Sequence, residues 1–282
     1  MIRIYFVLFF IFIRFVVAIY SRYFNPKLRL LKKNMPKLLI QHSPYYRNLN
    51  HKEQKHFEER VLVFISLKRF YSFDKSNVTD EMKILIASAA IQISFGFSDG
   101  YEYEIFRNIA ISDEEYMSQQ TKMLHHGETN PGKSLIAFSW KKFMEGVKNP
   151  HDSLNLGLHE FAHALFLNNQ RGYRNQHFIQ TINEWHATVA KLLQEQAIYI
   201  FFRSYAFNNK MELFAVSVEY FFETPQDFHE YLPQLYAVMC RMFNQNPMLP
   251  NNGIRRKGIY APLASIFSRR NFRMYPFGGN TT

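Results

Sequence analysis

The chain has 282 residues, enough for one large domain with short appendages. Hydrophobic residues make up 47% of it and charged residues 20%, a composition that excludes a wholly disordered protein. Its single cysteine, Cys240, excludes a disulfide framework and any metal site built from paired cysteines, so a metal would need histidines and carboxylates.

The net charge of +11 is carried by the two ends of the chain. Residues 1–52 hold 10 Lys and Arg, residues 250–282 hold 6, and neither segment has an acidic residue. Residues 53–249 keep 18 basic and 23 acidic side chains, a net charge of −5. A body of this sign predicts no nucleic-acid partner, because binding to the phosphate backbone needs clustered cations.

The first predicted element is an apolar helix at the amino end. Residues 4–20 carry one charge, Arg14, and their length reaches the lower limit for a membrane-spanning helix. We therefore predict a membrane anchor over residues 1–20. The cations that follow it predict a location at the cytoplasmic membrane, with the folded body facing the cytoplasm. The alternatives are a cleaved signal peptide with an exported protein, and a buried core helix.

A basic linker over residues 21–52 is predicted next, because Pro36 and two further prolines interrupt any long helix there. The folded domain spans residues 53–249, and residues 250–282 form a basic, flexible tail. Hydrophobic periodicity and capping residues predict the elements of the domain. They are helices at 53–69, from a Thr79 cap to 94, at 154–167, 179–196, 211–222 and 229–244, and strands at 101–112 and 134–140.

A phosphate-loop pattern, GxxxxGK[ST], occurs from Gly127 to Ser134. Such a loop must follow a buried strand and open a helix. Here it follows the polar stretch TKMLHH and precedes LIAFSW, which alternates like a strand. We therefore predict a Gly/Pro turn leading into a strand, and no nucleotide partner.

An HExxH motif occurs as His159, Glu160, Phe161, Ala162 and His163. Positions i and i+4 lie one above the other on a helix, so the two imidazoles can bind one metal ion. Glu160 then lies beside the metal, where it can take a proton from water. The apolar residues around the motif predict that its helix is buried. The motif therefore predicts a metal-dependent hydrolase.

A catalytic zinc site needs a third protein ligand. Spacing leaves several candidates open: Glu184, His186, Glu212, Glu219 and Glu223. Glu212 and Glu219 are seven residues apart and share one helical face, so periodicity does not separate them.

Four stretches of the chain together resemble the MtfA (Mlc titration factor A) family of zinc peptidases. They are VTDEMKILIASAA (78–90), SLIAFSW (134–140), NLGLHEFAHAL (155–165) and MELFAVSVEYFFETP (211–225). The resemblance implies a zincin-like α+β fold, mainly helical, with a small mixed sheet and an active-site helix. It implies Zn²⁺ as the cofactor, Glu212 as its third ligand, and Tyr205 as the residue that stabilises the tetrahedral intermediate. One departure is Phe166, which stands where the family commonly has an Asp able to accept a hydrogen bond from a ligand imidazole.

The sequence thus predicts a zinc metallopeptidase that acts on a peptide or protein substrate, aminopeptidase-like by resemblance. Zinc would be held by His159, His163 and Glu212, with Glu160 as the base and Tyr205 as the oxyanion donor. The strand at 134–140 could hold an extended peptide through its edge. The alternative is a protein that binds a transcriptional regulator and keeps only a structural or residual zinc site.

Overall fold

The computed structural model describes residues 26–74, 76–97, 103–118, 122–170 and 176–254. The helices are α1 (Pro26–His42), α2 (Pro44–Arg47), α3 (His51–Leu67), α4 (Asp80–Ser94), α5 (Trp140–Lys148), α6 (Leu156–Gln170), α7 (Gln176–Gln194), α8 (Ala197–Phe201), α9 (Lys210–Glu223), α10 (Pro225–Tyr231) and α11 (Pro233–Phe243). The strands are β1 (Arg69–Ser72), β2 (Asn108–Ser112), β3 (Tyr116–Met117), β4 (Leu124–His125), β5 (Gly127–Asn130) and β6 (Leu135–Ser139). Short 3₁₀ helices span Ser204–Asn208 and Pro250–Gly253.

Four strands form one small mixed sheet in the order β1-β2-β6-β5. The first three run parallel, and β5 pairs antiparallel with β6. Ile109, Ile136 and Thr129 lie side by side across β2, β6 and β5. The strand β6 is therefore interior, and β5 forms the edge of this sheet.

The helix α6 lies between the sheet and α9. The ring of Phe161 has its centroid 5.7 Å from that of Phe138 on β6 and 5.7 Å from that of Phe64 on α3. Farther along α6, Phe166 packs on Phe214 of α9 at 5.7 Å. A helix that is apolar on most sides is stable only when it is enclosed in this way.

Side-chain caps fix where the principal helices begin. The predicted cap Thr79 is confirmed, because its hydroxyl accepts a hydrogen bond from the backbone N–H of Met82. Asn155 Oδ1 accepts from the N–H of Leu158 at the start of α6. Asn209 Oδ1 accepts from the backbone of Glu212 at the start of α9. These caps satisfy N–H groups that the first helical turn leaves unpaired.

The predicted helices of the domain are confirmed, with ends shifted by a few residues. The predicted strand at 101–112 is shorter, since only Asn108–Ser112 is paired. The predicted turn before the second strand is confirmed: β5 and β6 form a hairpin, and the phosphate-loop pattern lies within it. The prediction of a usable strand edge at 134–140 is wrong, because β6 pairs on both sides.

The predicted linker contains the helix α1 instead of a proline-broken segment. Leu31, Met35 and Leu39 recur every four residues along it and are buried in the main core. Burial of this face outweighs the helix penalty of Pro36, which lies inside α1. Residues from 26 onward thus belong to the folded body.

The prediction of an N-terminal membrane helix is corrected. Among the residues that the structure describes, no helix is both long and apolar enough to cross a membrane. The fold class is a mainly helical α+β domain with a small mixed sheet. The predicted membrane helix rested on the apolar run of residues 4–20, which only reaches the lower length limit for a membrane span and contains Arg14. The predicted location at the cytoplasmic membrane is withdrawn with it, and residues 1–20 and 255–282 lie outside the described residues.

Candidate metal centre

Three predicted ligands meet where α6 faces the start of α9. Glu212 Oε2 lies 3.0 Å from His159 Nε2 and 3.4 Å from His163 Nε2, and the two Nε2 atoms are 3.0 Å apart. Each residue offers one ligand atom, and these three atoms lie within 4.8 Å of one another. Tetrahedral ligands about 2 Å from a zinc ion are separated by about 3.3 Å, so this set of donors fits zinc.

Local structure explains how the three side chains converge. His159 and His163 are one turn apart on α6, and both are buried. Asn209 caps α9 and places Glu212 in its first turn. Tyr205 is seven residues before Glu212 but does not lie on the same helix, because Ser204–Asn208 is a separate 3₁₀ helix that ends before α9.

A second carboxylate orients the first imidazole. Glu219 Oε1 lies 2.7 Å from His159 Nδ1 and 2.6 Å from Arg203 Nη2. Because a carboxylate only accepts, Nδ1 of His159 is the donor, and Nε2 is left to face Glu212. Glu219 also accepts from the backbone N–H of Asn155 at 2.8 Å. Glu219 thus supports His159 instead of competing with Glu212 for the ligand position.

Phe166, which stands where the family commonly has an Asp, leaves the imidazole of His163 without the partner that an Asp could provide. Phe166 packs on Phe214, and His163 Nδ1 is buried without a hydrogen-bond partner among the described residues. The sequence left open which residue supports the ligand imidazoles. Glu219 does so for His159, while no described residue does so for His163.

Contacts among the ligand residues shift their pKa values in opposite directions, up for His159 and down for Glu212. Burial lowers the pKa of His159, but the hydrogen bonds that its imidazole donates to Glu212 and Glu219 outweigh burial and raise this pKa to about 10. Burial acts against ionisation of Glu212, yet the two histidines hold its pKa well below the usual range. A metal ion would take the place of the proton that holds these groups together.

The edge strand β5 contacts Glu160 directly. Thr129 Oγ1 donates to Glu160 Oε2 at 2.7 Å and lies 3.0 Å from its carbonyl oxygen. Gly127 approaches so closely that an added Cβ would overlap Glu160 Oε1. Sequence reasoning missed both residues, because they fall in the pattern that resembled a phosphate loop and reach Glu160 only through the fold.

Tyr205 lies at the exposed side of the centre. Its ring centroid is 6.0 Å from that of His159, and 48% of the residue is exposed. Partial burial, and then the charge of Glu212 and a hydrogen bond with it, raise the pKa of Tyr205 to about 12. The hydroxyl therefore keeps its proton at neutral pH and can act as a donor.

The other ligand candidates lie elsewhere. Glu184 is exposed and pairs with Arg241 at 2.8 Å. His186 packs against Trp185 and Phe166. Glu223 accepts from Asn155.

A model of the family described as glucose-regulated metallo-peptidase M90 matches residues 22–244. The chain belongs to this family. Mlc titration factor A of Pectobacterium atrosepticum is 24% identical over 205 residues, which cover 66% of this chain and 76% of that protein. Mlc titration factor A of Yersinia pestis is 24% identical over 226 residues, covering 73% and 82%. An uncharacterized protein of Synechocystis sp. is 22% identical over 230 residues, covering 73% and 82%.

The predicted membership of the Mlc titration factor A family is thereby confirmed. The family is one of metallo-peptidases, and the described residues contain one His/His/Glu group able to hold a metal. The predicted roles of individual residues, and the peptide and regulator partners, stay predictions.

Proposed function

We propose that the protein is a zinc peptidase that hydrolyses peptide bonds, with zinc held by His159, His163 and Glu212. The observation that carries the proposal is the convergence of these three ligand atoms within 4.8 Å, next to the buried carboxylate of Glu160. Zinc in such a site supplies Lewis-acid polarisation of a carbonyl oxygen and lowers the pKa of water.

Glu160 is the general base and acid in this proposal. Its carboxylate takes a proton from the attacking water and gives it to the leaving amine. The hydroxyl of Thr129 orients the carboxylate of Glu160 by a 2.7 Å hydrogen bond to its Oε2. The other oxygen, Oε1, does not accept this hydrogen bond. Gly127 provides the space for that oxygen, because any side chain there would occupy its position. A positioned base acts without first reorganising its surroundings.

Tyr205 donates a hydrogen bond to the oxyanion that develops on the attacked carbonyl. Its hydroxyl is protonated at neutral pH, and its ring stands next to that of His159. The position is half exposed, so a substrate can reach it from solvent. A donor of this kind stabilises charge that exists only in the transition state.

The edge strand β5 receives the substrate as an added strand. It ends the order of the sheet, and its residues Gly127 and Thr129 contact the proposed base. An extended peptide on an edge strand gains backbone hydrogen bonds without needing a particular sequence. The same strand would therefore hold the scissile bond and orient Glu160. Preference for the amino end of a peptide, as in aminopeptidases, stays part of the proposal.

The test is Glu160→Gln in the full chain, compared with Glu230→Gln at an exposed position. Glu160→Gln is expected to retain zinc and to lose roughly 100-fold or more of the rate on a quenched-fluorescence peptide library, since the base is gone. Glu230→Gln should match the wild type in both measurements. Normal cleavage by Glu160→Gln would refute the mechanism. A wild type that binds zinc but cleaves nothing would favour a protein whose main task is binding a regulator.

A further inference from the structure

Arg203 stands at the start of the short helix that carries the proposed oxyanion donor, Tyr205. Its backbone is extended, and its carbonyl oxygen accepts from the N–H of Ala206 to begin the 3₁₀ helix. Phe202 before it and Ala206 after it are buried, whereas Tyr205 is half exposed. The position of Tyr205 therefore depends on how this backbone is anchored to the rest of the fold.

The guanidinium group of Arg203 makes two hydrogen bonds to separate parts of the fold. Its Nη2 donates to Glu219 Oε1 on α9 at 2.6 Å, and its Nη1 donates to the carbonyl oxygen of Ser153 in the loop before α6. The carboxylate of Glu219 is buried, and the Arg203 side chain is 24% exposed. A planar guanidinium with two acceptors has a fixed orientation, which a single flexible amine does not have.

Both acceptors are tied to the candidate metal centre. Glu219 Oε1 also accepts from His159 Nδ1 at 2.7 Å. Ser153 lies three residues before α6, the helix that carries both proposed histidine ligands. Arg203 thus connects the backbone that carries Tyr205 to the carboxylate that orients a proposed zinc ligand.

The side-chain contacts of Tyr205 do not fix it during the proposed reaction. Its hydroxyl has a hydrogen bond with Glu212, and its ring centroid is 6.0 Å from that of His159. A hydroxyl has only one proton to donate, so the bond to Glu212 must break before Tyr205 donates to an oxyanion. From then on, the ring contact and the backbone anchors determine where the hydroxyl points.

We propose that Arg203 is a positioning residue, which holds the ring of Tyr205 beside His159 through its hydrogen bonds to Glu219 and Ser153. Its contribution to catalysis rests on the peptidase function proposed above, because it acts through the hydroxyl of Tyr205. Its effect on the location of the Tyr205 ring does not depend on that function. A shift of about 1 Å in a reacting group can lower a rate about 100-fold, so an anchor that acts at a distance can change kcat.

The location of the Tyr205 ring is measured by ¹⁹F NMR of the full chain with 3-fluorotyrosine at its 17 tyrosines. The Tyr205 signal is the one that disappears in Tyr205→Phe. In the wild type and in the exposed control Arg107→Gln it is expected away from the shift of free fluorotyrosine, because the ring lies near that of His159. In Arg203→Gln it should move toward the free value, while most other tyrosine signals stay in place.

The second readout is peptide hydrolysis in a double-mutant cycle of Arg203→Gln and Tyr205→Phe at saturating zinc. Arg203→Gln should lower kcat roughly tenfold or more, with KM and zinc content close to those of the wild type. In the Tyr205→Phe background the same change should alter kcat less than about twofold, because the hydroxyl that it positions is already gone. A residue that only stabilised the fold or the zinc ligands would lower kcat by the same factor in both backgrounds.

Arg203→Lys keeps the positive charge beside Glu219 but replaces the planar fork with a single nitrogen. It should change the fluorine signal and kcat in the same direction, and it decides the question if Arg203→Gln fails the circular-dichroism check of folding. A wild-type Tyr205 signal in either folded variant, or equal kcat losses with and without the Tyr205 hydroxyl, overturns the proposal. If the wild type cleaves no peptide, the proposed function fails, and the fluorine signal still decides whether Arg203 holds Tyr205.

Discussion

Removing the hydroxyl of Thr129 should slow hydrolysis without removing zinc. Thr129→Val keeps the shape and strand preference of the side chain but deletes the 2.7 Å hydrogen bond to Glu160 Oε2. A hydrogen bond to a charged group is worth about 1.5–3 kcal/mol, and Glu160 is buried, so water does not readily replace it. If the bond serves to hold the base in place, kcat/KM should fall roughly 10- to 100-fold.

The matched control is Thr129→Ser, which restores the hydroxyl. Fluorogenic peptide hydrolysis gives kcat and KM for wild type and both variants, and metal analysis of the same samples gives the zinc content. The expected result is a loss in kcat for Thr129→Val, recovery for Thr129→Ser, and equal zinc in all three. Wild-type kcat in Thr129→Val, or an equal loss in Thr129→Ser, would refute the positioning role of this residue.

Three further outcomes are expected. Gly127→Ala should lower the rate of peptide cleavage at least tenfold, because its Cβ would overlap Glu160 Oε1. The same overlap should destabilise the fold by about 1–3 kcal/mol in urea unfolding. Unchanged activity would contradict the close approach of Gly127 to Glu160. Glu219→Gln should weaken zinc binding roughly tenfold in a competition titration with a chromogenic chelator, since the carboxylate that accepts from His159 Nδ1 is lost. Undiminished affinity would show that Glu219 does not support the zinc ligand His159. The folded-state pKa of Glu223, about 8, lies above its ordinary 4.5, so the native state holds a proton that the unfolded chain has released. Stability should therefore fall by up to about 1.4 kcal/mol per pH unit as pH rises between these values, and Glu223→Gln should flatten that slope in urea unfolding at pH 5 and pH 8; an equal slope in the variant would contradict the shift.

The local parts of the centre were predictable from the sequence. The spacing of His159 and His163 fixes their common face on any helix, and the apolar residues around them require that helix to be buried. Spacing alone left Glu212 and Glu219 equivalent, and only the family resemblance separated them. The structure gives the physical reason: Glu212 lies in the first turn of α9 near both Nε2 atoms, whereas Glu219 is two turns along, at Nδ1 of His159.

Contacts between segments that lie far apart in the sequence were not predictable. Thr129 reaches Glu160 only because β5 folds back on β6 and lies beside α6, and no local pattern encodes that contact. The helix α1 was missed for a related reason. Its prolines argue against a helix locally, and the burial of Met35 and Leu39 that stabilises it comes from the rest of the fold.

The most direct test of the proposed metal centre is the zinc content of the full chain, measured by mass spectrometry after equilibration with saturating zinc. Wild type should hold about one zinc per chain. Glu212→Gln should lose it, whereas Glu219→Gln, which changes a neighbouring carboxylate on the same helix, should retain it at saturation. Zinc retained in Glu212→Gln, or no zinc in the wild type, would contradict the ligand set of His159, His163 and Glu212.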